Sequence, residues 1–141
     1  MVKPLIVATI MVLLTVIMHG GGLILLSKLL RLEREEARVS ATSPLSVQGL
    51  TVTMAVVLGL FALHGVEIWL YAALYLLVEA LPNLHEAVYF STITYATIGY
   101  DDEGLLPAWR LVAAIEGVSG VLLLGWSTAF FVSFATRLRK R

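Results

Sequence analysis

The chain has 141 residues, of which 59% are hydrophobic and 14% are charged. Its mean hydropathy of +0.90 is higher than a soluble domain can carry with a wet surface, so the composition indicates a membrane protein. Ten basic and ten acidic residues cancel, which excludes the overall positive field that nucleic-acid binding uses, and the lack of cysteine excludes disulfides, thiolate metal sites and cysteine nucleophiles.

The first predicted element is a transmembrane helix over residues 1–30. Residues 4–27 carry no formal charge, and a bilayer crossing takes about 20 apolar residues. A cleaved signal peptide over residues 1–22 is the alternative, since Lys3 precedes a short apolar core. Cleavage there would export the basic residues between 28 and 38, against the usual distribution of charge, so we favour a helix that stays in the membrane.

Two further crossings follow a mixed-charge linker at residues 31–49, which ends in a polar, turn-forming stretch. We expect a second helix over residues 50–81 and a last helix over residues 108–136. Three or at most four crossings fit the length of the chain, which excludes a large transporter built from internal repeats.

The charges also predict the orientation of the chain. Basic residues cluster after the first helix and in the tail at 137–141, and such clusters mark the cytoplasmic side of membrane proteins. The linker and the C-terminus are therefore expected inside, and the N-terminus and residues 82–107 outside. We expect a multi-pass protein of the cell membrane, in a prokaryotic inner membrane.

A short apolar and aromatic segment at residues 84–96 lies between the second and the third crossing. It is too short to span a bilayer, and both neighbouring crossings have their near ends on the same side. Asn83 and Glu86 have the spacing of a capping box, which predicts where this short helix starts. We expect it to re-enter the membrane and to direct the partial negative charge of its C-terminus towards a cation.

The residues that follow, TIGYDD at 97–102, together with the glycine-bearing last helix, resemble the pore domain of potassium channels over roughly residues 50–136. That family has a pore helix, a Thr-Val/Ile-Gly-Tyr-Gly-Asp filter and an inner helix with a mid-membrane glycine. The resemblance implies an all-α membrane protein with three transmembrane helices, a re-entrant pore helix and a filter loop, assembled as a homotetramer in the lipid bilayer. Residues 50–141 would form the pore domain.

The filter would work because carbonyl oxygens from four copies replace the hydration shell of an ion. Thr97 would add its hydroxyl, and Gly99 permits a backbone conformation that other residues resist. The potassium ligands that the resemblance implies are Thr97, Ile98, Gly99 and Tyr100, and Asp101 completes the ion-binding loop. A channel of this kind implies no enzyme activity and no cofactor, with potassium and other monovalent cations as the permeant species and no nucleic-acid partner.

Asp101 departs from the family pattern, because it stands where the family has its second filter glycine. Aspartate tolerates positive φ, so the loop can still form. Four copies of Asp101, Asp102 and Glu103 would ring the outer mouth and concentrate cations there. Potassium conduction is the first prediction; a weakly selective cation channel, and a non-conducting scaffold or accessory subunit with a pore-like fold, are the alternatives.

Three ionisable residues within the apolar helices are candidates for regulation, since such groups are costly in a membrane and usually functional. His64 and Glu67 share a helix face at i,i+3. The hypothesis is that Glu116 meets His64 or Glu67, shares a proton and couples conduction to pH. A static polar pair that holds the helices in register is the alternative.

The last helix carries two further features. Gly120 aligns with the gating hinge of the family, and close packing behind the pore helix is its alternative role. The sequence GVSG at 117–120 also spells the GxSG motif of intramembrane serine proteases, with His64 as a conceivable base. We disfavour that activity, because such enzymes need a larger bundle of helices. Aromatic residues that fit an outer membrane belt are Trp69, Tyr71, Tyr75 and Trp109.

Overall fold

The computed structural model describes residues 2–36, 47–99 and 104–139. These residues form four α-helices and no strand, which confirms the predicted all-α class. The helices are α1 (Val2–Glu36), α2 (Val47–Leu77), α3 (Leu84–Tyr95) and α4 (Arg110–Arg139), and one turn of 3-10 helix (Pro107–Trp109) precedes α4.

Three of the helices are long and apolar enough to cross a membrane: Val2–Leu30, Gly49–Leu77 and Pro107–Arg137. The fourth, α3, has only 12 residues and lies between the second and third of these segments. The predicted plan of three crossings and one short intervening helix is therefore confirmed by length and composition.

The three long helices form a bundle in which α1 runs parallel to α4 and antiparallel to α2. At one end, Ala8 of α1 shares a buried cluster with Tyr75 of α2 and with Trp109, and the Lys3 ammonium lies 5.9 Å from the centre of the Trp109 indole. At the other end, Leu30, Val56 and Phe134 pack together. The start of α1 therefore lies at the same end of the bundle as the segment that joins α2 to α4.

The second helix ends four residues earlier than the sequence predicts, at Leu77 rather than at residue 81. Glu79 adopts φ +53°, its N–H donates to the Leu76 carbonyl at 3.0 Å, and the Ala80 N–H donates to the Tyr75 carbonyl at 2.8 Å. This is the Schellman pattern that closes a helix. Hydropathy could not find this end, because Ala80 is still buried, with an exposed fraction of 2%.

The other helix bounds differ from the prediction by at most six residues. The first helix continues to Glu36 instead of ending near residue 30, and α2 starts at Val47, three residues before the predicted start. The last α-helix starts at Arg110, because Pro107 opens a 3-10 turn in place of the first helical turn. It continues to Arg139, three residues after the predicted end.

The predicted aromatic belt is wrong for most of its members. Tyr71 and Tyr75 are fully buried and Trp109 is 8% exposed, whereas Trp69 is 55% exposed. Tyr71 and Tyr75 are four residues apart on α2 and therefore share one face, which packs into the bundle. Only Trp69 has the exposure expected of a residue that faces lipid.

Candidate functional site

The short helix α3 begins where its capping residues predict. The side-chain oxygen of Asn83 accepts a hydrogen bond of 2.9 Å from the Glu86 N–H, which confirms that Asn83 is the N-cap. The helix packs against both α2 and α4. Its buried side chains are Ala87, Phe90, Ser91, Ile93 and Tyr95.

The C-terminus of α3 closes in a second Schellman pattern, at the first residue of the predicted filter. Thr97 has φ +58°, and its N–H donates to the Thr94 carbonyl at 3.0 Å. The N–H groups of Ile98 and Gly99 both donate to the Ile93 carbonyl, at 2.8 and 3.1 Å. A left-handed conformation is unfavourable for a β-branched residue such as threonine, so this turn is held at some cost in strain.

The backbone N–H groups from Thr97 to Gly99 all donate to carbonyl oxygens of α3. Among the described residues, none donates a hydrogen bond to the carbonyl oxygens of Thr97, Ile98 or Gly99. The sign of φ also alternates, since Thr97 and Gly99 are positive and Ile98 is not. Backbone carbonyls normally find a partner, so a row of free, exposed ones is a binding surface for a cation or for water.

Glycines of α4 let this helix touch the C-terminus of α3. A Cβ atom placed on Gly120 would lie 2.1 Å from the Tyr95 carbonyl oxygen, and one on Gly117 would lie 3.3 Å from the Thr94 carbonyl oxygen. The first distance leaves no room for a side chain, and the obstacle is backbone. This is the close packing given above as the alternative role of Gly120; a hinge at this glycine stays a prediction.

Glu116 is fully buried and lies against two hydroxyl groups. Tyr75 donates to one carboxyl oxygen at 2.6 Å, and Ser91 Oγ lies 2.5 Å from the other and 3.0 Å from the Ile68 carbonyl oxygen. The predicted contact of Glu116 with His64 or Glu67 is wrong, because these hydroxyls from α2 and α3 occupy both of its oxygens. We refer to Glu116, Tyr75 and Ser91 as the Glu116 network.

Glu67, also fully buried, lies at the centre of a different set of contacts, which involves all four helices. Its Oε1 lies 2.9 Å from His19 Nδ1, and its Oε2 lies 3.2 Å from His64 Nδ1 and accepts a bond of 2.5 Å from the Tyr95 hydroxyl. His64 Nδ1 also lies 2.9 Å from the Tyr95 hydroxyl, and His64 Nε2 lies 2.9 Å from Ser127 Oγ. We refer to these five residues as the His–Glu cluster.

The sequence predicted that His64 and Glu67 belong together, and the structure places them in contact. The sequence did not identify His19, Tyr95 and Ser127 as members of this cluster. A signal was present for His19, because it is the single ionisable side chain in the apolar stretch 4–27, and such groups inside a membrane usually have a partner. Serine and tyrosine in an apolar helix give no comparable signal.

The GxSG motif does not form a catalytic pair with His64. The serine that His64 contacts is Ser127, which is outside the motif. The order Ser127–His64–Glu67 does resemble a serine protease triad. Acyl transfer also needs N–H donors for an oxyanion, however, and Ser127 is 6% exposed in the middle of α4, where the backbone N–H groups are bonded within the helix.

A family model described as "Ion channel" matches residues 61–137, which is more than half of the chain. The chain belongs to this ion channel family. Searches of curated proteins and of solved structures found no match. The family match begins within α2 and ends within α4, so the whole of α1 lies outside it. Membership points to a transport role for the channel rather than to catalysis.

The predicted filter of the channel is only partly within the described residues. Thr97, Ile98 and Gly99 are described above, whereas Tyr100, Asp101, Asp102 and Glu103 lie outside the described residues. The acidic outer mouth therefore stays a prediction. Of the two neighbouring aromatic residues of α3, Phe90 packs edge-on against Tyr75 with ring centres 5.4 Å apart, and Tyr89 is 50% exposed.

Proposed function

We propose that four copies of this chain surround a pore and conduct potassium passively across the cell membrane, through a filter that starts at Thr97. The observation that carries the proposal is the exposed segment from Thr97 to Gly99, to whose carbonyls no described residue donates a hydrogen bond, next to the C-terminus of the short helix α3. Such oxygens can replace the water around a cation when four copies face one axis. The negative end of the α3 dipole favours a cation at the same place.

The proposed potassium ligands are the residues that the family resemblance implies, Thr97, Ile98, Gly99 and Tyr100. The orientation that goes with them has the N-terminus outside and the C-terminus in the cytoplasm, which places the acidic residues 101–103 at the external entrance. A prokaryotic inner membrane suits this distribution of charge. The proposed role is transport without catalysis.

A weakly selective cation channel is the second candidate, and the residue that favours it is Asp101. A carboxylate next to the carbonyl ring adds a strong, less size-dependent attraction for cations, so sodium would be less well excluded. A non-conducting scaffold is the third candidate, and the same experiment separates all three.

The test is ion flux from liposomes that contain the purified protein, with potassium and sodium compared in parallel. Gly99→Ala is the informative variant. Gly99 has φ +60°, whereas a Cβ at this position would meet no atom of the described residues within 4 Å, so the substitution strains the backbone without a clash against them. We expect potassium flux to fall by about tenfold or more, because left-handed alanine costs roughly 1 kcal/mol in each of four copies.

Gly65→Ala is the matched control, because Gly65 has equal space around it but lies inside α2 without a positive φ. Its flux should equal that of the parent. Equal rates for potassium and sodium in the parent would favour the weakly selective channel. A parent protein that runs as a tetramer in mild detergent but conducts neither ion would contradict conduction and leave the scaffold.

A further inference from the structure

The His–Glu cluster is a buried polar site that the family match does not explain. His19, on α1, lies outside the matched residues 61–137, yet it is fully buried against Glu67. The other members come from α2, from the last residue of α3 and from α4. A helix outside the family match therefore supplies one of two imidazoles around a carboxylate in the pore domain.

The number of protons in the cluster can be counted from its distances. A neutral imidazole has one N–H and one bare nitrogen. Both Nδ1 atoms face oxygens of Glu67, at 2.9 Å for His19 and 3.2 Å for His64, and an ionised carboxylate only accepts. His64 Nδ1 also faces the Tyr95 hydroxyl at 2.9 Å, whose one proton goes to Glu67. With Glu67 ionised, both Nδ1 atoms therefore carry the hydrogen, which leaves both Nε2 atoms as acceptors.

The two bare nitrogens compete for one donor. His64 Nε2 lies 2.9 Å and His19 Nε2 lies 3.4 Å from Ser127 Oγ. Serine has a single hydroxyl proton, so it can satisfy only one of them. One additional proton on the other imidazole completes every bond, since that ring then donates to Ser127. The resulting imidazolium also balances the buried carboxylate of Glu67.

Among the described groups around the cluster, the additional imidazole proton is the source of the positive charge that balances the Glu67 carboxylate. Among the described residues, no lysine or arginine lies within 4.0 Å of the Glu67 carboxylate. Beyond the members of the cluster, the nearby polar side chains are Tyr71 of α2, with Thr15 of α1 and Ser119 of α4 close to its hydroxyl. Glu116 lies further along and is bonded to Tyr75 and Ser91. The Glu67 carboxylate contacts both imidazole rings directly. A metal ion held by the same three side chains would have to push the carboxylate away from both rings.

The cluster reaches the filter through Tyr95. The Tyr95 hydroxyl is bonded to Glu67 and lies 2.9 Å from His64, and its backbone carbonyl lies against Gly120. Two residues later, Thr97 begins the strained turn that presents the free carbonyls. A change in the bonds of the Tyr95 side chain therefore acts on the residue that anchors the start of the filter.

We propose that His19, His64 and Glu67 bind one exchangeable proton, and that this proton holds Tyr95, and with it the filter, in the conducting arrangement. The link to conduction rests on the proposed function; the proton itself does not. Loss of the proton at high pH leaves one imidazole nitrogen without a donor and the Glu67 charge without a counterion. Flux should then fall.

The test combines flux with the protonation of the three histidines in the full-length protein. Parent flux should be highest near pH 6 and fall by about threefold or more by pH 9. His19→Gln and His64→Gln should each flatten this profile, because an amide does not titrate. His85→Gln should keep the parent profile, since His85 is exposed in the first turn of α3, away from the cluster.

Nitrogen-15 spectra of histidine-labelled parent protein give a readout that does not depend on conduction or on the folding of a variant. Of the rings of His19 and His64, one should carry both hydrogens wherever flux is high, and neither should do so once flux has fallen. His85 serves as the internal reference.

A parent flux that is flat between pH 6 and 9, or a His19→Gln channel with the parent profile, would overturn the proposal. So would spectra in which both rings stay neutral across this range. A parent that conducts nothing at any pH, but whose spectra show one shared proton, would contradict the proposed function and leave the proton site standing.

Discussion

The Glu116 network and the His–Glu cluster both surround a buried carboxyl group, and they differ in the chemistry of their donors. Glu116 lies against the hydroxyls of a tyrosine and a serine, groups that keep their proton at ordinary pH. Glu67 lies against two imidazoles, each of which can carry either one or two ring hydrogens. The first arrangement can hold α2, α3 and α4 together under all conditions, whereas the second can hold α1 to them conditionally.

Both the Glu116 network and the His–Glu cluster depend on the contact between α4 and the end of α3. Gly120→Ala tests that contact, and we expect it to have the largest effect on stability of the variants considered. The added methyl would lie 2.1 Å from the Tyr95 carbonyl oxygen, a backbone atom that cannot rotate away. We expect a loss of about 3 kcal/mol or more in the stability of the folded protein, measured by thermal unfolding in detergent. Both the network and the cluster should be disturbed.

Gly125→Ala is the control for Gly120→Ala. Gly125 lies on the same helix, and a Cβ there would meet no described atom within 4 Å. It should unfold like the parent. A stable Gly120→Ala protein with altered gating would instead support a hinge at this glycine.

The difference between the two carboxylates is sharpened by a pair of matched tyrosine variants. Tyr75→Phe removes one donor from Glu116, and Tyr95→Phe removes one donor from Glu67. Each should cost about 1–3 kcal/mol of stability, because a buried acceptor loses its partner. Only Tyr95→Phe should change the pH profile of potassium flux.

Liposome flux between pH 6 and 9 provides the measurement. If Tyr75→Phe altered the pH profile as much as Tyr95→Phe, the two regions would act as one unit and the distinction between them would be lost.

The smallest effect is expected at Tyr71, which lies one turn beyond Glu67 and one turn before Tyr75 on α2. Its buried hydroxyl has no hydrogen-bond partner within the described part of the chain. Tyr71→Phe removes an unsatisfied polar group and should leave stability unchanged or raise it by up to about 1 kcal/mol. A clear loss of stability would show that this hydroxyl connects the two regions.

Much of the fold could be predicted from the sequence, because hydropathy and capping are local properties. The three apolar stretches, the short intervening helix and its N-cap at Asn83 follow from residues close together in the chain. The end of α2 could not be predicted in this way. Val78, Ala80 and Leu81 are apolar because they pack into the core on either side of the turn at Glu79, so the hydropathy signal continues after the helix has ended.

The sequence by itself determined that this protein is an α-helical membrane protein with a filter-like segment after a capped short helix. Each of these features depends only on residues that are close together in the chain. Only the tertiary structure decided the partners of the buried charges. The local sequence of Glu67 offers only His64, three residues earlier on the same helix, and that of Glu116 offers no partner. Packing added His19 and Tyr95 to Glu67 and gave Tyr75 and Ser91 to Glu116, because these partners come from helices that are distant in the chain and meet only in the folded bundle.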